Sequence, residues 1–164
     1  MVEISAVKIE NPEDNLHEII IGQGNFSVKT IDDLYTIVYS AVPKAKFGIA
    51  MNEAKPKLTR VVGNDETAKS LAAKAALSIG AGHVFAIFMK DAYPIQVVSV
   101  VRAHPCVASL YCATSNPLEI IVGKTQFGKS VLGVVDGTPA ERLENADEEK
   151  ERREMVKKFG FLPI

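Results

Sequence analysis

The chain has 164 residues, about one domain of ordinary size. Its 19 Lys and Arg balance 20 Asp and Glu, and the net charge of -1 excludes a broad surface for nucleic acid or an anionic membrane. At 47% apolar residues disorder is excluded, and the longest apolar runs, six residues as at 84–89, are far short of the ~20 a membrane helix needs.

The N-terminus, Met1-Val2-Glu3-Ile4-Ser5, lacks the basic start and long apolar stretch of a signal peptide. One cytoplasmic domain spanning 1–164 is expected. Residues 2–9 are short and β-branched and predict a strand, followed by a turn cluster at 11–15. Residues 16–21 predict a second strand closed by Gly22-Gln23-Gly24-Asn25, and the two together predict a hairpin. Thr30-Ile31-Asp32-Asp33 predicts a helix start, with Thr30 as cap and the acids in the first turn. Ile31, Leu34, Val38, Ala41 and Val42 then share a face, and Pro43 ends the helix.

Residues 46–51 predict a strand, and a polar loop is expected from there through Arg60 to Gly63. Asn64 is the expected cap of the clearest helix, whose apolar face is mostly alanine: Ala68, Leu71, Ala72, Ala75, Ala76 and Ile79. Such a face approaches a neighbour closely. Gly80-Ala81-Gly82 stops it. The run at 84–89 is apolar without alternation, which predicts a central strand covered on both faces. A helix is expected at 95–103 between Pro94 and Pro105, then strands at 107–113, 118–122 and 131–135. The last helix follows Asn145, with acids early and Lys157 and Lys158 late, as the helix dipole favours. Met155, Phe159, Phe161 and Leu162 are its expected anchors. The sum is a single α/β domain, a mixed β-sheet of about seven strands flanked by about four helices.

Cys106 and Cys112 lie on one predicted strand about 20 Å apart, too far for a disulfide, and no zinc-ligand spacing is present. They read as small buried side chains.

Residues 123–130, Gly123-Lys124-Thr125-Gln126-Phe127-Gly128-Lys129-Ser130, match the P-loop pattern in full. That chemistry needs a helix directly after the loop, whose N-terminal amides hold the phosphates. Val131-Leu132-Gly133-Val134-Val135-Asp136-Gly137 is instead a strand ending in a turn dipeptide, so the segment predicts a hairpin tip. Lys124 and Lys129 remain available to an anion there. A P-loop NTPase is kept as a lesser alternative.

Of the three histidines, His17 reads as a solvated edge residue, and His104 suits the C-terminal dipole of a helix. His83 is different. Gly80-Ala81-Gly82 lets a ligand approach closely, and His83 opens the central strand. It is a candidate general base, phosphoryl acceptor or ligand anchor, with a structural role left open beside these. Asn52, Glu53, Lys57, Arg60, Asn116 and Asp136 lie at element edges. Glu53 and Asp136 could hold Mg²⁺, and Lys57 and Arg60 could neutralise phosphate. Each is equally explained as turn chemistry unless they meet in space.

The segments Gly63-Asn64-Asp65-Glu66, Ala81-Gly82-His83-Val84-Phe85, Cys112-Ala113-Thr114-Ser115-Asn116-Pro117-Leu118-Glu119 and Leu132-Gly133-Val134-Val135-Asp136-Gly137 occur in that order. Together they resemble the adenosine-specific kinase family of small prokaryotic proteins, along nearly the whole chain to Lys158-Phe159-Gly160-Phe161. The resemblance implies an α/β fold unrelated to the usual sugar kinases, binding of adenosine or AMP, phosphotransfer from ATP or another donor, and homo-oligomers such as a trimer or hexamer. It makes His83 and Asp136 the catalytic candidates. Glu53, Lys57, Arg60, Asp65, Gly82, Asn116 and Glu119 are the expected nucleotide contacts. The chain has Met51-Asn52-Glu53-Ala54 where the family pattern has Cys-Glu-Ala. A non-catalytic adenine-nucleotide sensor is the alternative, needing the same pocket but no base.

Overall fold

A computed structural model describes residues 1–161. Leu162, expected to anchor the last helix, lies outside them. In the large sheet, five strands run in the order β4 (Leu58–Gly63), β3 (Lys46–Glu53), β5 (Val84–Lys90), β2 (Glu18–Gly24) and β6 (Val107–Thr114). A second sheet joins β1 (Glu3–Ile9), β7 (Leu118–Lys124) and β8 (Lys129–Asp136). The helices are α1 (Ser27–Ala41), α2 (Glu66–Ile79), α3 (Val98–Ala103) and α4 (Ala146–Lys158).

The α/β class and the four helices stand as read. The strands differ in arrangement. There are eight, in two sheets, and every described pairing is antiparallel. The reason lies in the crossovers. Helix α1 carries the chain from β2 to β3, and α2 from β4 to β5. Each crossover skips one position, and an antiparallel strand fills the gap: β5 in the first case, β3 in the second.

The expected hairpin of the first two strands does not form. β1 pairs with β7, while β2 pairs with β5 and β6. Between them the chain crosses from one sheet to the other, and Asn11 clamps the crossing. Its amide donates to the His17 carbonyl at 2.8 Å and accepts from the His17 N–H at 2.9 Å. β4 was expected as loop, because this short edge strand has no fully buried position and lacks the apolar run of a central one.

Strand β5 is covered on both faces, as its composition predicts. Val84, Ala86 and Phe88 face α2 and the small sheet, while Phe85, Ile87 and Met89 face α1 and α3. The two cores are thus separate layers on either side of one sheet.

Helix boundaries differ for local reasons. α1 begins at Ser27, so Thr30 lies inside its first turn and donates its hydroxyl back to the Phe26 carbonyl at 2.6 Å instead of capping. Asp65 rather than Asn64 caps α2, accepting from the Ala68 N–H at 2.9 Å. Asn64 instead joins β3, accepting from Phe47 N–H and donating to the Ala45 carbonyl. The stretch at 95–103 is a 3₁₀ turn, Pro94–Gln96, followed by α3. Helix α4 has the expected Asn145 cap and buries no residue. Phe159 and Phe161 meet Tyr93 instead, at ring distances of 5.5 and 5.7 Å.

The alanine face of α2 is matched by Gly48 on β3. A Cβ added there would fall 2.1 Å from the Lys69 nitrogen and 2.3 Å from the Ala68 carbonyl carbon. Helix and strand backbones therefore touch. Gly48→Ala is expected to cost about 2 kcal/mol or more in urea unfolding, since α2 must shift as a body. Gly133→Ala, where nothing lies within 4 Å of the added Cβ, is expected to change stability by less than about 0.5 kcal/mol.

Candidate functional site

The site is built where β3 ends. Asn52 is buried there, and its amide nitrogen donates to the carbonyls of Ala76, at 2.7 Å, and Ala81, at 2.9 Å. Its amide oxygen accepts the Thr59 hydroxyl of β4 at 2.7 Å. The Asn52 backbone carbonyl accepts the His83 N–H at 3.0 Å, and the His83 carbonyl accepts the Gly24 N–H at 2.8 Å. His83 is thereby held at φ 60°, a left-handed backbone that costs an ordinary residue about 1–2 kcal/mol. Gln23 supports the same turn. It donates to the Gly82 carbonyl at 2.9 Å and accepts the Tyr111 hydroxyl at 2.9 Å. Burial pushes the Tyr111 phenol upward, which keeps that donor protonated.

The other two histidine rings are engaged in structure. His17 is buried, not a solvated edge residue, and its Nδ1 lies 2.7 Å from the Asn15 carbonyl. His104 Nδ1 accepts the Cys106 N–H at 3.1 Å, and its Nε2 lies 3.2 Å from Asp33. Asp33, His104 and Cys106 bring possible metal-ligand atoms within 4.8 Å of one another. The accepting Nδ1 leaves the proton on Nε2, aimed at Asp33, which Lys29 also holds at 2.8 Å. That cluster ties α1 to the end of α3. Among the described residues the His83 ring has no such partner.

Next to the turn that leads into His83 opens a cavity of about 630 Å³, whose wall includes Gly82 but not His83 itself. Its inner wall is Asn52, Glu53 and Gly82; Lys57 comes from the β3–β4 turn; Leu77 and Gly80 come from the end of α2. The outer wall is the β7–β8 hairpin tip, residues 125 and 127–130. Arg60 reaches the site through Glu53, whose Oε2 accepts from Arg60 Nε at 2.6 Å. Of the expected contacts, Glu53, Lys57, Arg60 and Gly82 therefore gather beside His83.

The remainder do not. Asp136 Oδ1 accepts the Thr114 hydroxyl at 2.7 Å and the Asn116 amide at 3.1 Å. Thr114 pairs with Ile19, five residues along β2 from Gly24, which hydrogen-bonds His83. The separation is roughly 16 Å at ~3.3 Å per residue. Glu119 is exposed on β7, and Asp65 is spent as a helix cap. Glu53 and Asp136 thus form no common Mg²⁺ site within one chain. The Glu53 carboxylate is matched by Arg60.

The P-loop alternative is overturned. β7 and β8 form a hairpin, and the Thr125 N–H donates to the Gly128 carbonyl at 2.8 Å instead of facing a ligand. Sequence reasoning missed Gln23, Tyr111 and Leu77, which carry no motif. It also missed that the hairpin tip bounds the cavity, although the Gly-Lys-Ser pattern marked those residues.

Fold and site define a small two-sheet α/β protein with a cation-bearing cavity beside an unengaged histidine. The family described as Adenosine specific kinase matches residues 7–162, and the chain belongs to it. It is also similar to the crystal structure of PH1918 protein from Pyrococcus horikoshii OT3, at 54% identity and a TM-score of 0.93, covering 100% of both chains. No curated protein matches. No helix among the described residues is long and apolar enough to cross a membrane.

Cys112 sits in the Cys-Ala-Thr-Ser-Asn-Pro motif, and burial pushes its thiol up to about 11. In a Cys106→Ser background, native protein is expected to react slowly with a thiol reagent at pH 8 and rapidly once denatured, because the thiolate is the nucleophile. Equal rates in the two states would contradict this environment.

Proposed function

We propose that this protein is a phosphotransferase acting on adenosine or AMP, with His83 as its central group. The observation that carries this is the contrast among the histidines. Two have their rings consumed by structure. The third is held in a left-handed turn by two backbone hydrogen bonds, beside a cavity with lysines, and keeps its ring free of protein partners among the described residues.

Phosphoryl transfer depends mainly on positioning and charge neutralisation. As a base, His83 takes the proton of the attacking hydroxyl while the P–O bond to the leaving group breaks and that oxygen keeps the electron pair. As an acceptor, a ring nitrogen attacks phosphorus itself, forms a P–N bond, and passes the group on in a second displacement. ATP or another donor supplies the phosphoryl group. His83→Asn and His83→Gln are both expected to lower phosphotransfer about 100-fold or more. Asparagine tolerates a left-handed backbone, so an unchanged melting temperature in His83→Asn separates lost chemistry from lost fold. Full activity in both would remove His83 from the reaction.

Asn116 and Asp136 enter this reading through assembly. They are rigidly held at the far end of β2 and β6, so a neighbouring copy is needed to bring them to His83. The free edge of β6 suits such contact, and a trimer or hexamer is the proposed form. Mixing His83→Asn subunits with Asp136→Asn subunits after joint refolding is expected to restore activity that neither has alone. Two inactive parents that stay inactive when mixed would argue against a shared site.

A further inference from the structure

We propose that the cavity beside His83 is the seat of a nucleoside triphosphate, held through its phosphates by Lys57 and Lys129 and through its base by Leu77 and Phe127. This rests on the phosphotransferase reading and adds to it the place and class of the donor.

Charge comes first. Glu53 is the only carboxylate among the residues that line the cavity, and Arg60 pairs with it at 2.5 Å. Lys57, from the β3–β4 turn, and Lys129, from the β7–β8 hairpin, both line the cavity, and neither is paired with a carboxylate among the described residues. The cavity therefore carries two unmatched positive charges in one space. An uncharged nucleoside would leave both ammonium groups unanswered. A polyphosphate carries enough negative charge to answer both.

Lys129 reaches the end of α2: a Cβ on Gly80 would lie 3.2 Å from its Nζ, a tight contact that places the ammonium over that helix end. The same glycine has φ 66° and ends the helix. The hairpin that resembles a P-loop thus offers its lysine without the helix that a P-loop requires. The Thr125 and Phe127 amides are spent within the hairpin, on the Gly128 carbonyl and the Thr125 hydroxyl, while Lys129 lines the cavity.

The apolar partners complete the fit. Phe127 is 94% exposed at the hairpin tip and Leu77 is 63% exposed on α2, yet both border this cavity. An exposed aromatic ring and an exposed leucine, one from the hairpin and one from α2, offer apolar surface on which a base can stack. The volume of about 630 Å³ lies within the range of small-molecule sites, roughly 300–1,000 Å³.

Calorimetric titration of the full chain with a non-hydrolysable ATP analogue, AMP and inorganic phosphate tests this. Wild type is expected to bind the analogue. Lys57→Ala and Lys129→Ala are each expected to weaken that binding about tenfold, with AMP affinity changed less than about threefold. Phe127→Ala should weaken the analogue about fivefold and leave inorganic phosphate unaffected. If Lys129 only steadies the end of α2, its removal lowers the melting temperature and leaves the preference for triphosphate over AMP unchanged. That result, or lysine variants that bind the analogue within twofold of wild type, overturns the proposal. A wild type that does not bind the analogue overturns it as well. If the analogue binds through the lysines but no phosphorylated product ever forms, the cavity assignment stands and the phosphotransferase reading falls. If product forms while the lysine variants bind donor normally, the reverse holds.

Discussion

The amide of Asn52 holds together the ends of four segments. Its nitrogen ties the last turn of α2 to the Gly80–Gly82 turn, its side-chain oxygen fixes β4, and its backbone carbonyl fixes His83. A buried amide with every polar atom satisfied is strongly directional, and no apolar residue of similar size reproduces it. Without it the carbonyls of Ala76 and Ala81 would each keep only a backbone partner, the Gly80 N–H at 2.9 Å and the Val84 N–H at 3.4 Å. The cavity wall therefore depends on the side chain of Asn52, and the strained histidine on the backbone carbonyl of the same residue.

That dependence explains how a strained backbone persists at the site. Left-handed geometry at a non-glycine residue is stable only where its surroundings over-determine it. His83 has a hydrogen bond on each side of its α-carbon, one from β3 and one from β2, and both strands are fully paired in the sheet. The close packing of α2 on Gly48 keeps the helix end where Asn52 can reach it. Packing at one end of α2 and hydrogen bonding at the other thus act on the same few residues.

The motifs of the family divide into two groups with different physical roles. The Ala-Gly-His segment meets the cavity at Gly82. The Asn-Pro and Val-Val-Asp-Gly segments lock to each other through Thr114, Asn116 and Asp136, about five residues away along β2. Gly-Asn-Asp has mainly an architectural part, Asn64 joining β3 and Asp65 capping α2. A motif in a sequence shows that a residue type is required, not whether chemistry or folding requires it.

Much of the fold was legible in local pattern. The alanine face of α2, the unbroken apolar run of β5, the Asn145 cap and the hairpin around residues 125–128 follow from periodicity and turn chemistry, which act over a few residues. His83 was legible for the same reason, as a histidine between a glycine turn and a central strand. What sequence could not determine was pairing. Local pattern made β1 and β2 a hairpin, and only the clamp of Asn11 on His17 and the long-range match of β1 with β7 sent them to different sheets. Strand pairing decides which ends share a space, and it is set by contacts dozens of residues apart. Tertiary structure therefore decided that Glu53 and Lys57 join His83, that Asp136 does not within one chain, and that a hairpin with no phosphate-binding helix still bounds the cavity.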